Sequence, residues 1–170
     1  MSEPEVWLRG PIEHVAPMLQ PVAHSLLQCR LEVRATLPTL LPSAVWSRPG
    51  GAASPGYHVR HAIGSLDRLL TYARGEPLSA AQLAALREEQ RADERDGIQD
   101  TLVAEFDAAV ERALAQVRAT DPSTLLEPRE VGRARLPSTV IGLLFHAAEH
   151  TQRHVGQFVT TAKIVRALTE

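Results

Sequence analysis

Apolar side chains recur every three or four residues along four long segments of this chain, and proline or glycine residues separate the segments. This spacing places the apolar side chains on one face of an α-helix, which must then pack against other helices. The first segment begins near Pro21 and ends before Pro38, and the second begins after Ser54 and ends at Gly75. No segment alternates apolar and polar residues over a useful length. The pattern therefore predicts an all-α fold.

The middle of the chain carries two further helix-start signals. Ser79 and Gln82 form a capping-box pattern that predicts a shorter helix running to about Arg91. Asp96 and Gln99 repeat that pattern at the start of the third long segment, which ends just before the Asp-Pro pair at 121–122. The sequence thus predicts one short helix between the second and third long ones.

The last helix is predicted to be the longest element. It runs from Pro137 or Ser138 to about Leu168, which corresponds to about 45 Å at 1.5 Å per residue. The stretch from Ser123 to Leu136 is predicted to be irregular. We therefore expect an all-α fold, a four-helix bundle with an additional short helix, and a single domain over residues 1–170.

Composition and charge exclude several classes of protein. Aromatic residues make up only 4% of the chain, so a core of Leu, Val and Ala is expected, which favours helices over a β-sandwich. The net charge is −2 with acidic and basic residues interspersed, which argues against nucleic-acid binding. No apolar run approaches the ~20 residues of a membrane span, and no signal-peptide pattern is present. With a single cysteine, Cys29, which cannot form an internal disulfide, these features predict a cytoplasmic protein.

Two histidines interrupt the apolar face of the last helix. His150 and His154 are four residues apart, which places them about 40° apart around a helix and about 6 Å apart along it. Buried imidazoles need partners, and a metal ion would satisfy both rings in their neutral form. His146 lies at the edge of this face and is predicted to play a structural or outer role. The apolar residues that share the face with His150 are Val140, Leu143, Ala147, Phe158, Val165 and Leu168.

The alternative is that each ring hydrogen-bonds a backbone carbonyl or a neighbouring side chain, but for a pair on the apolar face we favour metal binding. A metal needs a further ligand from another helix, and the second helix offers His58 and His61. Its apolar pattern does not choose between them, because His58 borders the apolar stripe and His61 lies off it. Gly64 and Ser65 follow His61 by one turn and are small enough to leave room for an ion.

These segments resemble the DinB/YfiT-like superfamily of four-helix proteins that are described as metal-dependent. That superfamily has a histidine followed by small residues on the second helix, and a late His-x-x-x-His followed by Gly-Gln. The corresponding segments here are residues 61–67 (His-Ala-Ile-Gly-Ser-Leu-Asp) and 149–157 (Glu-His-Thr-Gln-Arg-His-Val-Gly-Gln). One departure is Val155, since many relatives carry arginine there. The resemblance covers nearly the whole chain.

The resemblance implies that His61, His150 and His154 are the three metal ligands, with His58 as the alternative to His61. It also implies an enzyme, because relatives include thiol-dependent transferases and isomerases. We expect a divalent metal ion, zinc or nickel, and a transferase or hydrolase acting on a small molecule, with a low-molecular-weight thiol as a co-substrate. The sequence assigns no catalytic acid or base, and Cys29 is interpreted as a packed apolar side chain rather than a nucleophile.

Two other functions stay open at this point. The metal could stabilise the bundle of a non-catalytic protein, or the chain could be a dimerising stress or scaffold protein with an empty site. A homodimer is expected because Leu144, Val155 and Val159 lie off the proposed core face and would be exposed. The resemblance supports this expectation, since relatives are often dimeric.

Overall fold

Six α-helices, a two-stranded hairpin and several short 3₁₀ turns form the regular structure of residues 3–169, which the computed structural model describes apart from the side chain at 169. The predicted all-α bundle is confirmed in its helices, and the hairpin is an addition to it. In chain order the elements are α1 (Gln20–Thr36), α2 (Pro42–Val45), α3 (Pro55–Ala73), α4 (Ala80–Glu88), α5 (Ile98–Ala119), β1 (Pro128–Val131), β2 (Leu136–Thr139) and α6 (Val140–Thr169).

The cap signals place the starts of α3 and α4 as predicted. The Ser54 hydroxyl accepts a hydrogen bond from the Tyr57 N–H at 3.2 Å, and Pro55 occupies the first helical position, where its missing N–H has no consequence. At α4, both hydrogen bonds of the capping box between Ser79 and Gln82 form, at 3.1 and 2.9 Å. Helix α3 ends at Ala73, close to the end that Gly75 predicts.

The capping box predicted at Asp96 and Gln99 is wrong. The residue that caps α5 is Gly97, whose backbone adopts the left-handed conformation with φ of 74°, and no side chain caps this end. The Gln99 side chain instead donates a hydrogen bond to the Leu40 carbonyl at 2.7 Å. Gln99 therefore ties α5 to the chain that follows α1 rather than closing its own helix.

The stretch predicted to be irregular contains the hairpin. Strands β1 and β2 pair antiparallel, with Pro128 opposite Thr139 and Val131 opposite Leu136. Each strand has only four residues and neither is buried, so no apolar alternation marks them in the sequence. Because β2 extends to Thr139, α6 begins at Val140, two or three residues after the start that was predicted at about Pro137 or Ser138.

Helix α2, which the sequence did not predict, packs against the first turn of α3. A side chain at Gly56 would lie 2.9 Å from Val45 Cγ1 and 3.0 Å from the Trp46 ring, so α2 and α3 approach closely there. Between α2 and α3 the chain forms a 3₁₀ turn over Pro49–Gly51. This packing places the first turns of α3, which carry His58 and His61, against the rest of the chain.

Helices α3 and α6 share the largest interface between helices, and α1 and α5 complete the core around them. By contrast, none of the nine residues of α4, all of them described, is buried. The largest fully buried side chains include Phe106 of α5 and Phe158 of α6. Within residues 3–169, none of the helices combines the length and the hydropathy that a membrane span requires.

The buried face of α6 differs from the predicted apolar face in two ways: it includes more residues in the middle of the helix, and it ends before the last predicted residue. Leu144 and Val155 are fully buried and Val159 is half-buried, because α6 packs against both α1 and α3. Leu168 is 73% exposed, since α6 has 30 residues whereas α1 has 17 and α3 has 19. The homodimer itself stays a prediction. The argument for it assumed that Leu144 and Val155 are exposed, and that assumption is wrong.

Cys29 packs in the core of α1 and is 1% exposed. Burial, aided by the nearby Glu32 charge, raises the pKa of its thiol to about 12. We expect Cys29 to resist thiol reagents in the folded protein at about pH 8 and to react quickly after unfolding in guanidinium. Labelling with a chromogenic disulfide, followed by absorbance, would measure both rates. Rapid labelling of the folded protein would contradict this burial.

Candidate metal centre

Three imidazoles converge at the interface between α3 and α6. His61 comes from α3, and His150 and His154 come from successive turns of α6. Each ring offers a nitrogen atom, and these three atoms lie within 4.8 Å of one another. The Nε2 atoms of His61 and His150 are 3.1 Å apart, and the ring centroids of the trio are separated by 4.4–5.3 Å. The structure thus brings together the three residues that the sequence and the resemblance indicated.

The fold accounts for this convergence. His150 and His154 project from the same side of α6 because they are one turn apart, and that side faces α3. His61 lies off the apolar stripe of α3, as the sequence suggested, and therefore reaches the edge of the interface, where 18% of its side chain is exposed. The trio is consequently partly covered and partly open to solvent.

His58, the alternative ligand, lies outside the trio. It is buried at 6% exposure, and its Nδ1 is 3.2 Å from Nδ1 of His154. This contact engages Nδ1 of His154. His58 therefore supports a member of the trio from outside, an arrangement in which a second residue fixes the orientation of an imidazole.

Sequence reasoning missed Glu89, which follows the last residue of α4. Its carboxylate is 5% exposed and accepts hydrogen bonds from His61 Nδ1 and from Arg68 Nη1, both at 2.7 Å. A carboxylate that holds the outer nitrogen of an imidazole fixes its tautomer and directs the other nitrogen, here Nε2, toward the cluster. An acidic residue at the end of a largely exposed helix gives no signal in the sequence that it is buried.

The sequence suggested that Gly64 leaves room for an ion, and the structure shows that it does not. A side chain at this position would lie 2.5 Å from Glu89 Oε1 and 2.7 Å from Arg68 Nη1. The space beside Gly64 is therefore filled by the ion pair of these two side chains. The glycine serves the cluster indirectly, because it allows the carboxylate that holds His61 to reach its position.

The surroundings lower the pKa values of His58, His150 and His154, which favours the neutral form of these three rings. Burial, with the neighbouring His61, His150 and His58 rings and Arg153, lowers the pKa of His154 to about 4. Burial is also the main cause that lowers the pKa values of His150 and His58 below their ordinary value of 6.5. At Glu89, burial raises the pKa, but hydrogen bonds from His61 and Arg68 outweigh it and leave the carboxyl below its ordinary value. Neutral imidazoles with free lone pairs are the form that binds a metal.

The donor set fits a divalent metal ion. Two imidazole nitrogens bound to one tetrahedral zinc would be about 3.3 Å apart, and the Nε2 atoms of His61 and His150 are 3.1 Å apart. Nδ1 of His150, the other nitrogen of that ring, is buried and has no hydrogen-bond partner within residues 3–169. Three histidine nitrogens suit zinc and other transition metals and do not suit magnesium or calcium, which prefer oxygen.

His146 and Glu149, which lie on the same helix as two members of the trio, pair with side chains outside it. His146 lies near His150, but its Nδ1 pairs with Glu149 Oε1 at 2.7 Å, and its side chain is 47% exposed. Glu149 also accepts two hydrogen bonds from Arg153, at 2.7 and 3.0 Å. The expectation that His146 has an outer or structural role agrees with this position.

Comparison with known proteins gives one match. No curated protein is similar enough to the chain to count as a relative. The sequence pattern of the DinB superfamily matches residues 34–158, well over half of the 170 residues, and that range includes the whole histidine cluster. The helical fold agrees with this match, and the resemblance expected from the histidine motifs is confirmed. The chain belongs to the DinB superfamily.

Proposed function

We propose that the protein is a metal-dependent transferase that joins a low-molecular-weight thiol to a small electrophile, with the metal held by His61, His150 and His154. The observation that carries this proposal is the open donor set. Within the described part of the chain, the residues whose donor atoms come together here are three histidines, and no cysteine or carboxylate joins them as a ligand. Structural zinc sites are closed by four protein ligands, whereas three protein ligands leave a position for water or substrate.

The metal would supply Lewis acidity, which lowers the pKa of a coordinated thiol or water to near neutrality. The protein's own residues prepare the site for that chemistry. Glu89 accepts the Nδ1 proton of His61, and Arg68 keeps that carboxylate charged in its buried position. The Tyr57 ring stacks on His61, with centroids 5.4 Å apart and an interplanar angle of 20°, and shields that imidazole on one face.

A cavity lies near the cluster, and although none of the three candidate ligands lines it, it offers room for a substrate next to His58. It has a volume of about 600 Å³ and is lined in part by His58 and Arg153, the residues next to His154 in space and in sequence. Small residues, among them Ala53 and Gly156, form another part of its wall. An electrophile of drug-like size fits such a space.

The test combines metal analysis with a transfer assay. Protein loaded with zinc is expected to bind a stoichiometric amount, and the His150→Ala variant is expected to lose most of it while keeping its helical circular dichroism. The His146→Ala variant is the matched control, because it removes an exposed imidazole from the same helix and should retain wild-type metal content.

The same three proteins would then be assayed with a panel of small thiols and chromogenic electrophiles. Transfer is expected for the wild-type protein and the His146→Ala variant, and a loss of at least about a hundredfold is expected for His150→Ala. Full metal occupancy without turnover across the panel would contradict the enzyme and favour a structural metal. Equal metal content in all three proteins would contradict the ligand set.

A further inference from the structure

The segment that carries Glu89 to His61 contains one apolar side chain, Ala92, and that side chain is exposed. Residues 89–97, all of them described, form no helix or strand, and Glu89 is the only buried residue among them. Helix α4, which precedes the segment, has no buried residue either. Apolar burial therefore does not hold the Glu89 carboxylate in place, and the polar contacts of this segment must do so.

Arg60 of α3 binds the backbone on both sides of Glu89. Its Nη1 donates hydrogen bonds to the carbonyl of Glu88, at 3.4 Å, and to the carbonyl of Arg91. Because Glu88 is the last residue of α4, the guanidinium also places a positive charge at the carbonyl end of that helix, where it is favourable. Its Nη2 lies 3.9 Å from the carboxylate of Asp93. One side chain of α3 thus contacts the segment at three positions.

The indole ring of Trp46 supports Arg60 and binds the same segment. The central guanidinium carbon of Arg60 lies over this ring, 4.3 Å from its centroid, in a cation–π arrangement. The indole N–H donates to the Asp93 carbonyl at 2.6 Å. Trp46 is 8% exposed and packs closely on Gly56 in the first turn of α3. The ring belongs to the core, so it attaches the segment after α4 to the core.

Arg60 directly precedes His61, so α3 provides both the imidazole and the side chain that holds its partner's backbone. Successive residues of a helix point about 100° apart, which lets the two side chains do different things. The hydrogen bonds of Arg60 go to backbone carbonyls and leave the Glu89 carboxylate to His61 and Arg68. Because the helix fixes the spacing of residues 60 and 61, a segment bound to Arg60 keeps its carboxylate opposite His61.

We propose that Arg60, supported by Trp46, is a positioning residue of the candidate metal centre, which acts through the backbone of residues 88–93 and keeps the Glu89 carboxylate on Nδ1 of His61. This inference rests on the proposed function, because it concerns the site that would hold the metal, and it adds two residues that are not ligands. The carboxylate fixes the tautomer of His61, and the tautomer decides whether Nε2 offers its lone pair to an ion. Loss of Arg60 therefore changes the state of His61 as well as the stability of the fold.

Nitrogen NMR of the metal-free protein at about pH 8, where an ordinary imidazole is neutral, reads this tautomer directly. In the wild-type protein we expect His61 to carry its proton on Nδ1. The Arg60→Met variant keeps the length of the side chain and removes its donors, so both tautomers of His61 should be populated. Arg91→Met is the matched control, because it removes a 79% exposed arginine from the same segment and should leave the His61 signals unchanged. Wild-type His61 signals in Arg60→Met would overturn the proposal.

Zinc binding provides the second measurement. The dissociation constant of Arg60→Met should be about ten times that of the wild type, and that of Arg91→Met should be unchanged. In a Glu89→Gln background, Arg60→Met should raise the dissociation constant by less than about twofold, because the carboxylate through which Arg60 acts is already gone. An effect of Arg60→Met that is equally large in both backgrounds would mean that it acts by another route, and the proposal would fail.

Trp46→Phe is a milder variant that decides the question if Arg60→Met does not fold. It keeps an aromatic ring under the guanidinium and removes the bond to the Asp93 carbonyl, so the zinc dissociation constant should rise about threefold. Unchanged zinc affinity together with unchanged His61 signals in Trp46→Phe would contradict the positioning role. A wild-type protein that bound no zinc would contradict the proposed function instead, and the NMR comparison of metal-free proteins would still decide the role of Arg60.

Discussion

The Glu89→Ala variant is expected to be less stable than the wild-type protein by about 3–5 kcal/mol, which would be among the largest effects of a single substitution in this chain. The Arg68 side chain is only 11% exposed, and its guanidinium donates to the Glu89 carboxylate at 2.7 Å. Removal of that carboxylate leaves a largely buried positive charge and the Nδ1 proton of His61 without their acceptor. Urea unfolding followed by circular dichroism would measure the loss.

Two further variants distinguish the buried pair from a general effect of the helix end. Glu88→Ala removes a neighbouring carboxylate that is 60% exposed and pairs with Arg91 at 3.3 Å, so a change within about 0.5 kcal/mol is expected. Combining Glu89→Leu with Arg68→Met removes both charges and should cost less than Glu89→Ala alone. If Glu89→Ala and Glu88→Ala proved equally mild, the buried pair would contribute little.

Zinc is expected to stabilise the folded protein by about 4 kcal/mol when its free concentration is a thousand times the dissociation constant. The reason is that the complete donor set exists only in the folded state, because His61 and His150 are 89 positions apart in the chain and meet only when α3 packs against α6. Thermal unfolding with zinc and with a chelator would show the difference as a shift of Tm.

The same comparison in single variants tests the ligands. His150→Ala and His61→Ala should lose most of the zinc-induced shift, and Glu89→Gln should keep part of it with a dissociation constant that is about 10 to 100 times larger. His146→Ala should shift as the wild type does. A full shift in His61→Ala, together with its loss in a His58→Ala variant, would mean that the alternative ligand is the real one.

The helices could be predicted because their signals are local. The Ser54 cap, the capping box at Ser79 and the glycine after α3 each act within a few residues, and the structure forms all of them. The capping pattern at Asp96 failed because α5 begins at Ile98, so that Gly97, in a left-handed conformation, occupies the N-cap position in place of Asp96. The hairpin was missed because its two short strands are exposed and so lack an apolar period.

The histidine cluster could be predicted in part, because the spacing of two of its members is also a local signal. The spacing of His150 and His154 fixes their shared side of α6, but the choice between His58 and His61 depends on how α3 is rotated against α6, which no local pattern contains. The role of Glu89 depends on a contact across 28 positions of the chain. Its burial requires the absent side chain of Gly64, so two distant positions had to be known together.

The attachment of α4 has a consequence for how the site behaves in time. This helix has no buried residue, and its links to α3 include the bonds that Gln82 donates to Asp67 and Thr71, and the contacts that Glu89 makes just after its end. The nine residues of α4 therefore loosen with little loss of apolar burial, whereas release of Glu89 also separates it from the largely buried Arg68 and is the costly step. The rate at which Glu89 leaves His61 would then limit the exchange of an ion at the site, while the rest of the bundle stays folded.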